Sequence, residues 1–216
     1  MNTQNLIDSL VVDLQPVKSI KPRYGVVIAL LATLAAALAV IAYFGARGDI
    51  MAGAPDPIVI VRGMLLILLG LATSFAAANA ARPSVGANHN GWLWALAAAL
   101  VLPIAATCLY GYHMITAEPF AKGDMDFHYG MHCLGISGAS AALIGTAQTL
   151  WLQRGAPTNL TRAGWLVGLT AGSFGTFAYS LHCPSNSIYY IGTFYALALG
   201  LCAVIGRVIV PRLIKW

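Results

Sequence analysis

The stretch YGVVIALLATLAAALAVIAYF, residues 24–44, has no charged side chain in 21 positions. A helix rises about 1.5 Å per residue, so about 20 apolar residues cross a hydrocarbon core of roughly 30 Å. A run of this length and purity predicts a membrane-spanning helix. Five further stretches of the same kind follow, at 58–80, 92–112, 131–152, 164–181 and 188–210. Together they predict an all-α, polytopic membrane protein: a bundle of six transmembrane helices. A transmembrane β-barrel would need alternating segments of about ten residues, and these runs do not alternate.

The composition agrees. Of 216 residues, 59% are hydrophobic and only 9% charged, against roughly 25% charged in a soluble domain. The opening MNTQNLIDSLVVDLQPV lacks the basic region and small-residue cleavage site of a signal peptide, and is read as part of the working protein. The net charge of +5 does not point to direct contact with nucleic acid. The basic residues stand singly or in pairs beside the apolar runs, where membrane topology places them. Six spans put Lys18, Lys21, Arg23, Arg82, Arg154, Arg162, Arg207, Arg212 and Lys215 on one side, and only Arg47, Arg62 and Lys122 on the other. Nine against three makes the first side, with both termini, cytoplasmic. Residues 1–23 then form a short cytoplasmic head and residues 24–216 the transmembrane domain.

Two short stretches carry the reactive groups: MHCLGIS at 131–137, with His132 and Cys133, and LHCPSNS at 181–187, with His182 and Cys183. On this topology both lie at the outer surface, at the facing ends of neighbouring antiparallel spans. His113, His128, Glu118, Asp124 and Asp126 fall on the same side, and only His89 is inside. Thiolate and imidazole together suit Cu, Zn or Cd ions as a signal, with no obligatory cofactor. Adjacent His and Cys side chains diverge, so one ion would take Cys133 and Cys183 together with histidines from neighbouring segments. A Cys133–Cys183 disulfide and a pair of inert buried thiols are competing readings that spacing alone does not separate. Cys108 and Cys202 fall within spans and read as packing residues. No C-x-x-C-H is present and the histidines gather at the rim, which argues against haem.

The head has its own pattern. Leu6, Ile7, Leu10, Val11, Leu14 and Val17 recur at helical spacing and form one apolar stripe, with Asp8, Ser9 and Asp13 beside it. Pro16 and Pro22 limit the end of such a helix. A helix this short is marginal alone in water, so the stripe must be buried on lipid, on its own bundle or in a partner's groove. Helices that lie on membranes carry Lys and Arg on the polar face. Here that face is acidic, which favours a basic protein partner.

The head TQNLIDSLVVDLQPV (3–17), the two His-Cys stretches and the spans between them resemble, over essentially the whole chain, the NrsF family of transmembrane anti-sigma factors. The resemblance implies a protein of the bacterial inner membrane that holds an extracytoplasmic-function (ECF) sigma factor and releases it under heavy-metal or related stress. It implies that Cys133 and Cys183 are the cysteines required for the response. It also implies that the head, with Leu6, Ile7, Leu10, Asp13, Leu14 and Val17, contacts the sigma factor. The chain departs from the family pattern at Ser185-Asn186, where acidic residues are common, and at Phe194-Tyr195, where Trp-Tyr is more usual. The expected role is regulatory and not enzymatic. The alternative is a membrane thiol oxidoreductase or metal-handling protein using the same two cysteines, although neither a C-x-x-C pair nor a quinone-facing charge is evident. A transporter ranks third, because the spans are nearly free of midplane charge.

Overall fold

Pro22 occupies the first turn of helix α1 (Pro22–Phe44), where its missing amide hydrogen costs nothing and its fixed φ suits the helix. It therefore starts a helix here. Gly45, at φ 84°, closes α1. Helix α2 (Pro57–Ala80) starts the same way, and the Asp56 side chain caps it by accepting from the Ile58 amide at 2.9 Å. Helix α3 runs Phe127–Leu152, and α4 (Leu160–Ser180) is capped by Asn159, which accepts from the Arg162 amide at 2.9 Å. Helix α5 runs Ile188–Leu213, with a π-helical turn at Ile191–Tyr195. A single helical turn, Gly48–Met51, lies in the α1–α2 connection. These elements belong to a computed structural model that describes residues 21–81 and 127–214, together with scattered helical positions between 97 and 115. No strand occurs among the described residues. The head stripe from Leu6 to Val17 lies outside them.

Helix α4 is the axis of the bundle. Sixteen of its 21 residues are buried, and α2, α3 and α5 pack around it while α1 closes the α2–α3 side. Close approach needs small side chains. A Cβ on Gly168 would meet the carbonyl of Cys202 and lie 2.8 Å from Ala203 Cα on α5. A Cβ on Gly175 would lie 2.6 Å from the Ser137 carbonyl on α3. Backbone cannot yield as a flexible side chain can. Gly168→Leu is therefore expected to destabilise the protein by about 1–3 kcal/mol, read as an earlier thermal melt of the purified chain. Polar pairs pin α2 to the axis and to α3: Thr170 Oγ1 to Thr73 Oγ1 at 3.0 Å, and Gln148 Nε2 to Ser74 Oγ at 3.2 Å.

Four helices among the described residues, α1, α2, α3 and α5, are long and apolar enough to cross a membrane. They carry outward-facing Leu31, Leu34, Leu38, Leu68 and Leu201. The expected count of six is corrected to these four. Helix α4 has the length but not the apolarity, because a helix enclosed by its neighbours needs Gly, Ser and Thr for close packing and not a greasy exterior. The third predicted span, 92–112, lies outside the described residues except at scattered helical positions. Helix α2 ends beside the end of α3, where the Ala156 amide bonds the Ala81 carbonyl at 3.2 Å.

Candidate functional site

Cys133 and Cys183, 50 positions apart in sequence, enter one buried cluster at the end of the bundle where α2, α3 and α5 begin and α4 finishes. Cys133 is 0% exposed and Cys183 is 1% exposed, and both thiols are free. Leu66 and Leu69 of α2, Tyr179 of α4, and Tyr190, Phe194 and Tyr195 of α5 complete the cluster. Local structure explains each position. Gly130, one turn before Cys133, leaves room for the Phe194 ring, which any Cβ there would strike. After α4, the amides of His182 and Cys183 both bond the Tyr179 carbonyl, at 2.9 and 3.1 Å. Pro184 then prevents the helix from continuing. This tight turn sends Cys183 inward and leaves His182 half-buried at the rim. The Tyr190 hydroxyl donates to the Tyr129 carbonyl at 2.8 Å, tying α5 to the start of α3 beside Cys133.

Two arginines converge on the backbone of Cys183. Arg62, only 4% exposed, donates to the carbonyls of Ser180 at 3.0 Å, Cys183 at 3.1 Å and Ser185 at 2.7 Å. These carbonyls lie in and just beyond the last turn of α4, the negative end of the helix dipole. Its guanidinium also sits 5.8 Å from the centroid of the Tyr195 ring. Arg47 donates to the same Cys183 carbonyl and forms a two-point pair with Asp49, 2.9 Å at each contact. The Arg47 hydrogen bond holds the Asp49 carboxyl well below the usual carboxylate range, helped by the amides of Asp56 and Ile50. Counting Arg62 as a loop charge on the outer side is therefore corrected: it is a buried tie inside α2. The signal for it was present, since it stands amid apolar residues in IVIVRGMLLILL, and an ionisable group in such a run needs a partner.

The histidines do not join the thiols. His132 and His182 line an open cleft of about 1000 Å³ above the cluster, with His128, Arg47, Asp49 and Asp56 on its walls. Among the described residues no group of three or more His, Cys, Asp or Glu is placed to hold a metal ion. A ligand set of both thiols with histidines is thus not preassembled. Thiols face inward and imidazoles outward, as the divergence of adjacent side chains predicts. Asn186, at the position where acidic residues are common in the resembled family, donates to Asp56 Oδ2 at 2.8 Å, so a carboxylate reaches this turn from α2's cap. Cys202 is partly buried against the α1–α3–α4 core, in keeping with packing, whereas Cys108 is exposed.

Comparison with known proteins places this architecture. The chain is 28% identical to the anti-sigma-F factor NrsF of Caulobacter vibrioides (strain NA1000 / CB15N), with both chains covered completely. It is 27% identical, again over the whole of both chains, to the probable anti-sigma-F factor NrsF of Azospira oryzae (strain ATCC BAA-33 / DSM 13638 / PS). No solved structure matches. The family model described as NrsF, negative regulator of sigma F, matches residues 10–216, and the chain belongs to that family.

Proposed function

We propose that the chain is a multi-pass anti-sigma factor of the bacterial inner membrane. It sequesters an ECF sigma factor on the cytoplasmic side and releases it when a heavy metal or an oxidant acts on Cys133 and Cys183 on the periplasmic side. The role is regulatory, without catalysis. The observation that carries this reading is the meeting of Cys133 and Cys183 in one buried cluster among α2, α3, α4 and α5. Four apolar helices suit a bilayer. The end opposite the thiols carries Arg23, Arg154, Arg162, Arg207 and Arg212, the charge bias of a cytoplasmic face. The head, with its apolar stripe and Asp13, is the sigma-binding segment, and 24–216 is the sensor.

Mechanistically, the thiols lie between helices, so anything that binds both sulfurs changes how those helices pack. A soft cation such as Cd²⁺ or Cu⁺ would displace the two thiol protons and bridge the sulfurs, and a two-electron oxidant would join them directly. Either ligand acts only through its preference for one packing over another. A coupling of about 1–3 kcal/mol between the two ends is enough to change sigma-factor occupancy five- to 150-fold. In the resting state the apolar stripe fills a groove of the sigma factor, and Asp8 and Asp13 meet basic residues there.

The test is release. Membranes carrying the full chain with its sigma factor bound are treated with Cd²⁺ or with hypochlorite, and the sigma factor is followed into the supernatant. Release is expected from the wild type, and at least tenfold less from the Cys133→Ser/Cys183→Ser variant. Normal release from that variant would overturn the sensing assignment. Absence of any bound sigma factor in untreated membranes would overturn the anti-sigma reading.

A further inference from the structure

The cleft above the thiols holds a feature that the thiol chemistry does not use. Helix α3 starts at Phe127, four residues earlier than the apolar run suggests, so His128 and His132 stand one turn apart on the same helix. Residues at i and i+4 share a helix face, and two histidines at this spacing are the ligand pair of the H-E-x-x-H zinc helix. Here both are exposed and line one cleft. Their ring centroids are 4.9 Å apart and the ring planes meet at 76°. An ion bound at about 2.0–2.1 Å by each of two imidazole nitrogens needs those nitrogens roughly 3–3.5 Å apart. Rings at this separation reach that spacing by side-chain rotation alone, without moving α3.

Two more observations point to a cation. The other ionised groups on the cleft wall are Arg47, Asp49 and Asp56. Arg47 is paired with Asp49, and Asp56 forms no ion pair among the described residues, its oxygens accepting from the Ile58 amide and from Asn186 Nδ2. The third imidazole of the cleft is also set up as a ligand would be. His182 Nδ1 lies 3.0 Å from the Gly45 carbonyl. A carbonyl only accepts, so Nδ1 is the donor of this bond, although among the described residues His182 does not join His128 and His132 as a three-ligand group. Such a bond is the second-sphere arrangement usual for metal-binding histidines.

We propose that His128 and His132 form a binding site for a borderline divalent cation, Zn²⁺, Ni²⁺ or Cu²⁺, separate from the thiol pair. Water completes the coordination, and the site takes ions that imidazole prefers, whereas soft ions go to sulfur. The imidazoles then stand in the cleft, and the thiols lie buried outside its lining. The inference does not depend on sigma-factor binding, so either can fail without the other.

The experiment is direct titration of the purified full-length chain, free of any histidine tag, with Ni²⁺ followed by calorimetry and by metal content after dialysis. The wild type and Cys133→Ser/Cys183→Ser are expected to bind alike. His128→Ala/His132→Ala is expected to bind at least tenfold more weakly, with its melting temperature in metal-free buffer recorded to separate lost binding from lost folding. Undiminished Ni²⁺ binding by the histidine variant would overturn the proposal. Loss of Ni²⁺ binding in the cysteine variant would also overturn it, by assigning the ion to the thiols.

Discussion

Replacing Arg62 with alanine is expected to lower stability by about 3–5 kcal/mol. The guanidinium holds the carbonyls of Ser180, Cys183 and Ser185. In the variant Arg47 still serves Cys183, but Ser180 and Ser185 lose their donor. A polar group left buried without a partner costs about 1–3 kcal/mol, which applies to the Ser180 carbonyl, and the part-buried Ser185 carbonyl adds a smaller loss. The vacated volume beside Tyr195 adds a cavity cost. Lysine is not expected to rescue, because one ammonium on a flexible stem cannot reproduce the flat fork that reaches three acceptors at once. The measurement is the melting temperature of the purified protein, with protease sensitivity of the 181–187 turn as a local readout. A variant that melts with the wild type and resists protease equally would show that the tie contributes nothing.

A larger effect on function is expected from Leu10→Asp/Leu14→Asp in the head. Burying a leucine contributes about 1.5–3 kcal/mol, and a carboxylate placed in the same apolar groove must lose its hydration or stay out of contact. Losing two anchors removes about 3–6 kcal/mol, and each 1.4 kcal/mol is tenfold in affinity. If the head binds as proposed, sigma-factor capture should fall by a factor of about 10²–10⁴. Co-purification of the sigma factor with the full chain measures this, with Ser9→Asp as a control off the stripe. The bundle should be unaffected, so both variants should melt like the wild type. If the leucine variant still retained the sigma factor, the contact would have to lie on the loops at the basic end.

How much of this could be read from residues alone differs by element. Helices α1, α2 and α5 were plain, because a continuous apolar run has one stable solution in lipid and its ends are marked by Pro22, Pro57 and the polar turn before Ile188. The start of α3 was not. FHYG carries no apolar periodicity, and what makes it helical is tertiary: Phe127 meets Phe194 edge to face with ring centroids 6.4 Å apart, and the Tyr129 carbonyl receives the Tyr190 hydroxyl. Missing that turn hid the pairing of His128 with His132. Helix α4 was expected at 164–181 and runs Leu160–Ser180, and its small residues were read as general packing when they mark the central position. The meeting of Cys133 and Cys183 followed from topology, since neighbouring antiparallel helices bring those ends together. The arginine tie above them depends on contacts more than 100 residues apart, and their enclosure by Tyr179, Tyr190 and Tyr195 draws on two helices, which no local pattern encodes.

The π-helical turn at Ile191–Tyr195 gives α5 one residue of slack. A wide turn of this kind amounts to a single inserted residue that the helix carries without breaking. Absorbing it into regular α geometry turns everything on one side of it by about 100° relative to the other. Tyr190 lies on the short side and Leu199 on the long side, and both touch the thiol cluster. The helix is thus wound like a ratchet with one tooth in reserve. If the thiols act as proposed, a change at the sulfurs would have a discrete rotation to draw on, and the remainder of α5 leads from there, past Gly206 and Arg207, to the far end of the bundle.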